Sequence, residues 1–141
     1  MSLSQTEIIW AAGFYDGEGN IGFNKCSTKH YKNSQYYMLD LGIPQVDLES
    51  ITRFAEAVGV GKIYGPYQRN PKWRPIYAYR ARNAKALQVF TLLEPYLCTA
   101  KRTQGQTAIA KWQDFRAEWE SKKILRTLKD DRAERPLCPT I

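Results

Sequence analysis

Between Trp10 and Gly19 the chain reads Trp-Ala-Ala-Gly-Phe-Tyr-Asp-Gly-Glu-Gly, an apolar run of small residues with helical character that ends in two carboxylates set between glycines. Small side chains let a second helix approach closely, glycines let the backbone turn sharply, and a carboxylate at the exit can hold a hard cation such as Mg²⁺. Just ahead, Ser4-Gln5-Thr6-Glu7 has the S-x-x-E form of a capping box. A helix over about residues 4–16 is therefore predicted, with its chemistry at the far end.

After Gly19 the period changes from helical to two. Ile21 and Phe23 alternate with Gly22 and Asn24, and Leu39, Leu41 and Ile43 alternate with Met38, Asp40 and Gly42. These are two half-buried strands, and the polar residues 27–34 between them, His30 included, read as their loop. Residues 47–58 form a second helix with Asp47 as its cap, Leu48, Ile51, Phe54, Ala55 and Val58 on one face, and Gly59-Val60-Gly61 as its stop. Two more strands follow, at about residues 62–67 and 76–82, joined by an exposed loop holding Pro71 and Pro75. Asn83 is placed to cap a third helix that stops near Pro95, and a fourth helix from about Lys101 carries Ile109, Trp112, Phe115 and Trp119, read as packing residues. The fold class is α+β: one four-stranded antiparallel sheet with helices on one face and the other face free for water or a ligand. With 141 residues and 43% hydrophobic content there is room for one domain, residues 1–128, followed by a mixed-charge, proline-containing tail at 129–141.

The net charge is +7, and it is local. Lys62, Arg69, Lys72, Arg74, Arg80, Arg82, Lys85, Lys101 and Arg102 face a single acid, Glu94, whereas the first 60 residues hold four basic and seven acidic residues. A basic stretch interleaved with Tyr64, Tyr67, Trp73, Tyr77 and Tyr79 fits nucleic acid better than a membrane, because no apolar run approaches the roughly 18 to 20 residues a span requires. If Ile21, Leu39 and Leu41 point to the helices, then Asn24, Cys26, Thr28, Tyr36, Met38 and Asp40 point away, and Arg74, Arg80 and Arg82 share one face of the last strand. Such a surface can enter a major groove, where arginine favours guanine and Asn or Gln favours adenine. Tyr64, Gln68 and Arg69 are further candidates for contact with bases or phosphates. The cysteines at 26, 98 and 138 suggest neither a disulfide framework nor a zinc site, and the opening residues lack a signal-peptide pattern, so an intracellular protein is expected.

The segment from Ala11 to Gly19 resembles the signature of the LAGLIDADG homing endonucleases. Ala11 stands for the first Leu, Phe14 for the second, Tyr15 for Ile, Gly17 for the second Ala and Glu18 for the last Asp. Leu41-Gly42-Ile43-Pro44-Gln45, followed by a helix and Gly59-Val60-Gly61, is similar to the family's second block. Its late block is matched by the run from Pro95 to Gln104, with Lys101 three residues before the glutamine. The resemblance extends over about residues 8–106 and implies the αββαββα fold, with a saddle-shaped sheet for DNA.

It also implies roles. Glu18, with the carbonyl of Gly17, would ligate Mg²⁺ (or Mn²⁺) at the scissile phosphate; Gln45 would position water, and Lys101 would stabilise negative charge. Asp16 near a helix C-terminus opposes the macrodipole by roughly 0.3 to 1 kcal/mol, so something must compensate; in the family this acid caps the neighbouring signature helix. Cutting two strands needs two sites and the chain supplies one, so a homodimer is expected, its signature helices packed through Ala12, Gly13 and Asp16. Each subunit would read a half-site of roughly 10 base pairs in a long pseudopalindrome. The resemblance implies an intron-encoded enzyme that cuts double-stranded DNA to short 3′ overhangs. The alternatives are an RNA-splicing maturase and a non-cleaving DNA-binding regulator on the same fold.

Overall fold

The computed structural model describes residues 3–26 and 36–129. In chain order these form α1 (Gln5–Glu18), β1 (Asn20–Lys25), β2 (Tyr37–Gln45), α2 (Leu48–Val58), β3 (Lys62–Tyr67), β4 (Ile76–Arg82), α3 (Ala84–Leu93), a 3₁₀ turn (Glu94–Tyr96) and α4 (Thr99–Lys129). The loop expected at residues 27–34 and all of the expected tail except Lys129 lie outside the described residues.

The strands make one antiparallel sheet in the order β1-β2-β4-β3. Period-two alternation settles which face is dry: Ile21, Leu39, Leu41, Ile43, Tyr79 and Ala81 are buried beneath the helices. α1 is apolar nearly all round and contributes Ile8, Ala11, Ala12 and Tyr15 to the same core. α2 adds Ile51 and Phe54, α3 adds Val89 and Phe90, and α4 crosses β1 and β2 with Trp112 inward. α4 has 31 residues, about 46 Å at 1.5 Å per residue. It therefore reaches beyond the strands it covers.

The helix ends follow local chemistry. Asp47 Oδ1 accepts from the Glu49 N–H at 3.1 Å, and Gly59, at φ 79°, closes α2 in the left-handed conformation that glycine adopts without a Cβ penalty. At α1 only half of the capping box forms. Ser4 Oγ accepts from the Glu7 N–H at 3.4 Å, but the Glu7 carboxylate turns to Arg53 of α2, with contacts of 2.8 and 3.0 Å. The Arg53 guanidinium also lies 4.0 Å from the centre of the Trp10 ring, so it ties α1 to α2 and lowers the Glu7 pKa through their hydrogen bond.

Asn83 departs from its expected role. Its side chain caps nothing; at φ 54° it is buried, its Oδ1 accepts from Leu39 N–H at 3.1 Å, and its own N–H donates to Leu39 O at 2.8 Å. It extends the β2–β4 pairing by one position and turns the chain into α3.

Candidate active site and nucleic-acid interface

The end of α1, the start of β1 and the start of α4 meet at one corner. Tyr15 is fully buried, and a Cβ placed on Gly19 would come 2.1 Å from its ring. Glycine is thus needed where α1 leaves the core. Glu18 and Gly17 are exposed at this exit. The Asp16 carboxylate accepts the Cys98 N–H at 3.1 and 3.2 Å, one residue before α4 begins. The positive end of the α4 dipole therefore supplies the compensation that Asp16 requires at the negative end of α1. The same carboxylate pushes the Cys98 thiol pKa up.

Lys101, in the first turn of α4, donates from Nζ to Gly19 O and lies 5.9 Å from the centre of the Tyr15 ring. One turn further on, Gln104 Nε2 donates to Asn20 Oδ1 at 3.1 Å. The Asn20–Gln104 pair had no assigned role in the sequence, although its signal was there: Gln104 follows Lys101 by three residues, on the same helix face. Gln45 lies at the same end of the sheet, since Asn20 pairs with Gly42 and Gln45 is three residues beyond. Its Oε1 accepts from the N–H groups of Val46 and Asp47 at 2.9 and 3.3 Å, bracing the entry to α2.

Among the described residues no three His, Cys, Asp or Glu side chains gather into a metal cluster. What the corner offers a cation is the Glu18 carboxylate and the carbonyls of the last turn of α1, Gly17 included, which lie at the negative end of the helix dipole. Those donors suit Mg²⁺ but fill only part of its octahedral shell. The set fits a metal whose remaining ligands come from water and other molecules.

The open face of the sheet carries the expected cations. Lys62 pairs with Arg80 and Tyr64 with Ala78, while Asp40 stands opposite Arg82, so these side chains share one face. Tyr64 is 41% exposed, Asn24 is exposed and Met38 half-buried. Asp40 sits beneath two arginines, with Oδ2 3.0 Å from Arg80 Nη1 and Oδ1 3.7 Å from Arg82 Nε. Both arginines keep exposed donor edges. Replacing Asp40 by Asn removes the negative charge that both guanidiniums face and leaves the positive charge of this sheet face uncompensated. The variant is expected to bind random duplex DNA about 3- to 10-fold more tightly at low salt, with reduced preference for any specific sequence, as measured by fluorescence anisotropy.

Five expected positions differ. Cys26 and Tyr36 do not face outward: beyond the last β1–β2 pair the alternation breaks, both are buried, and Tyr36 meets the rings of Phe115 and Trp119 at 5.7 and 5.2 Å. The length of α4 is the cause, because its aromatics extend to where the strands end. Arg74 is exposed but lies two residues ahead of β4, so it is on the hairpin loop and not on the strand face. Gln68 spends its amide on that loop, donating to Asn70 O and Trp73 O at 2.6 and 2.5 Å, while neighbouring Arg69 is exposed. Ala12 is fully buried within the chain's own core, unlike exposed Gly13. Thr28 lies outside the described residues. Of the aromatics interleaved with the basic residues, Tyr79 is core: its hydroxyl donates to Val60 O at 2.6 Å, and burial pushes its pKa up. No helix among the described residues is long and apolar enough to cross a membrane.

The profile of the LAGLIDADG endonuclease family matches residues 11–113, which include all four strands and the corner built by Glu18 and Lys101. The chain belongs to this family. Its fold is that of solved LAGLIDADG proteins. I-CvuI, in complex with its target in the presence of calcium, is 20% identical at a TM-score of 0.63, over 94% of this chain and 87% of that one. The homing endonuclease I-TnaI is 17% identical at a TM-score of 0.63, over 96% and 92% of the two chains. A second I-CvuI complex, with the I-CreI target and uncleaved DNA in the presence of magnesium, is 22% identical at a TM-score of 0.59 over 72% of this chain. This LAGLIDADG chain spans 62% of that protein, less than two thirds of its length. No curated protein matches the sequence.

Proposed function

We propose that this LAGLIDADG chain is a site-specific, divalent-metal-dependent endonuclease that cuts double-stranded DNA as a homodimer. The observation that carries the reading is the meeting of exposed Glu18, Lys101 and the Asn20–Gln104 pair at one corner, beside a sheet face bearing Lys62, Arg80 and Arg82. Bound Mg²⁺ would lower the pKa of a coordinated water and offset charge on the scissile phosphate.

The chain's own residues divide the remaining work. Glu18 and the Gly17 carbonyl would hold the cation. Lys101, fixed against the Gly19 carbonyl, keeps a positive charge at the phosphate. Gln45, braced by its own carbonyl oxygen, has an amide nitrogen to orient water. A second copy, packed through the exposed Gly13 side of α1, would bring a second Glu18 alongside and supply what one chain lacks for a two-strand cut.

The test is to incubate the purified protein with a randomised duplex library and Mg²⁺, in parallel with EDTA, and to sequence the ends. Metal-dependent cuts with short 3′ overhangs at one long pseudopalindrome are expected. Specific binding without cuts would replace the enzyme by a regulator or maturase.

A further inference from the structure

α4 has an end that the fold does not use. The helix starts at the corner, where Asp16 holds Cys98 and Lys101 holds Gly19, and its aromatics stop at Trp119, whose ring lies 5.2 Å from that of Tyr36 at the end of the sheet. Residues 121–128 carry on past the strands, and all of them but Lys123 are exposed. Three of these are large and apolar: Ile124, Leu125 and Leu128 are 58%, 53% and 72% exposed. Ile124 and Leu128 lie one turn apart and line a shallow groove with Glu120, Lys123 and Thr127. Apolar side chains gathered on a projecting tip, with charges around them, mark an interaction surface and not a scatter of single residues.

The pattern of the tip specifies what fits it. Ala117, Ser121, Ile124 and Leu128, all exposed, recur at the alternating spacing of four and three that makes a coiled-coil seam. The charges divide along the helix: Asp114, Glu118 and Glu120 come first, then Lys122, Lys123 and Arg126, and none of the six belongs to an ion pair among the described residues. Arg116, the cation within the acidic half, is turned to the Trp112 ring at 4.9 Å. A parallel helix of the same sequence would set like charges side by side. An antiparallel one sets Leu128 against Ala117 and Ile124 against Ser121, large against small, and brings Arg126 beside Glu118 and Glu120 of the second helix.

We infer that the tip of α4, residues 117–128, is a docking surface for a second copy of this chain, joined antiparallel about a twofold axis. This contact is distinct from the proposed pairing of α1. α4 begins at the α1 exit and its 31 residues run about 46 Å from there, so both surfaces are open at once, and the tips join one α1-paired dimer to another. A seam of about three helical turns buries less than the roughly 1,200 Å² of a standard interface. One tip contact is therefore weak, and it gains strength in a closed assembly that makes it twice.

The test is sedimentation velocity of the full chain without DNA, at low salt and over a range of protein concentrations. The wild type is expected to form species larger than a dimer. Ile124→Ser/Leu128→Ser alters exposed side chains only, so the subunit stays folded. It is expected to raise the concentration needed for the larger species by about 10-fold or more and to leave the dimer in place. Charge decides orientation and occupant. Glu118→Lys/Glu120→Lys and Arg126→Glu are each expected to lose the larger species, and a mixture of the two proteins to regain them, because each tip then meets its opposite.

A tip covered by residues 27–35 or 130–141 of its own chain gives no recovery on mixing and overturns the inference. So does lower duplex affinity of the Arg126→Glu protein with association unchanged in every variant, which would assign the tip to DNA. If the wild type stops at a dimer that Ile124→Ser/Leu128→Ser breaks, the tip is the pairing surface and the α1 reading falls; a dimer that no tip variant changes leaves the α1 reading and removes this one.

Discussion

Glu18→Gln is expected to reduce cleavage by about 10³-fold or more while leaving affinity for the target within about 3-fold of wild type. The amide keeps the shape of the side chain and loses its charge. Glu18 is exposed at the end of α1, and no hydrogen bond or ion pair ties it to the rest of the described chain. Its replacement should cost little stability, since exposed substitutions away from special features stay within about 0.5 kcal/mol. What disappears is the charged donor proposed for the metal, and metal-assisted charge stabilisation is worth several kcal/mol, at 1.36 kcal/mol per tenfold in rate. The loss should therefore fall on the chemical step. Single-turnover cleavage in saturating Mg²⁺, beside anisotropy in Ca²⁺, separates the two quantities. Normal cutting by the variant would place the metal elsewhere, and loss of binding in proportion to cutting would make Glu18 a DNA-positioning group.

Asp16, two residues earlier in the same signature, is predicted to behave differently because its surroundings differ. It is tied to Cys98 N–H at the start of α4. The sequence made clear that a carboxylate at the end of a helix needs a compensating partner, but not that the partner would be the chain's own fourth helix. That limit recurs. Alternation gave the faces of β2 and β4 correctly, including Asp40 with Arg80 and Arg82, because a period of two depends only on the strand itself. Asp47 and Gly59 were readable for the same reason: caps are local. Tyr36, Cys26, Asn83 and Gln68 were misread because their places depend on where a distant element ends. Tyr36 is set by the reach of α4, Asn83 by the offset of β2, and Gln68 by the closure of its loop. At the corner itself, the spacing of Lys101 and Gln104 showed that they share a helix face, and only the fold shows which carbonyl and amide that face meets.

The signature's glycines separate into two kinds, and substitution should separate them by several kcal/mol. An added Cβ at Gly13 or Gly17 meets nothing within 4 Å, whereas one at Gly19 would lie 2.1 Å from Tyr15 Cδ2 and within 2.7 Å of two more atoms of the same ring. Tyr15 cannot withdraw. It is fully buried at the centre of the core, so its ring is confined by dense packing and not by solvent. Overpacking of this kind costs typically 1–3 kcal/mol and more when the neighbour cannot move, a large share of the roughly 5–15 kcal/mol that holds a domain folded. Gly19→Ala is accordingly expected to lower the thermal midpoint by about 10 °C or more and to lose activity through misfolding. Gly13→Leu is expected to leave the subunit's own unfolding nearly unchanged, because its side chain would point into open space, and to dissociate the proposed dimer by holding the two α1 helices apart. Sedimentation velocity and thermal unfolding on both variants read the two effects independently. A Gly13→Leu protein that still sediments as a dimer would move the pairing surface off α1. A Gly19→Ala protein as stable as wild type would mean that α1 can end without this close approach to Tyr15, and that glycine at the exit serves the bound DNA and not the fold.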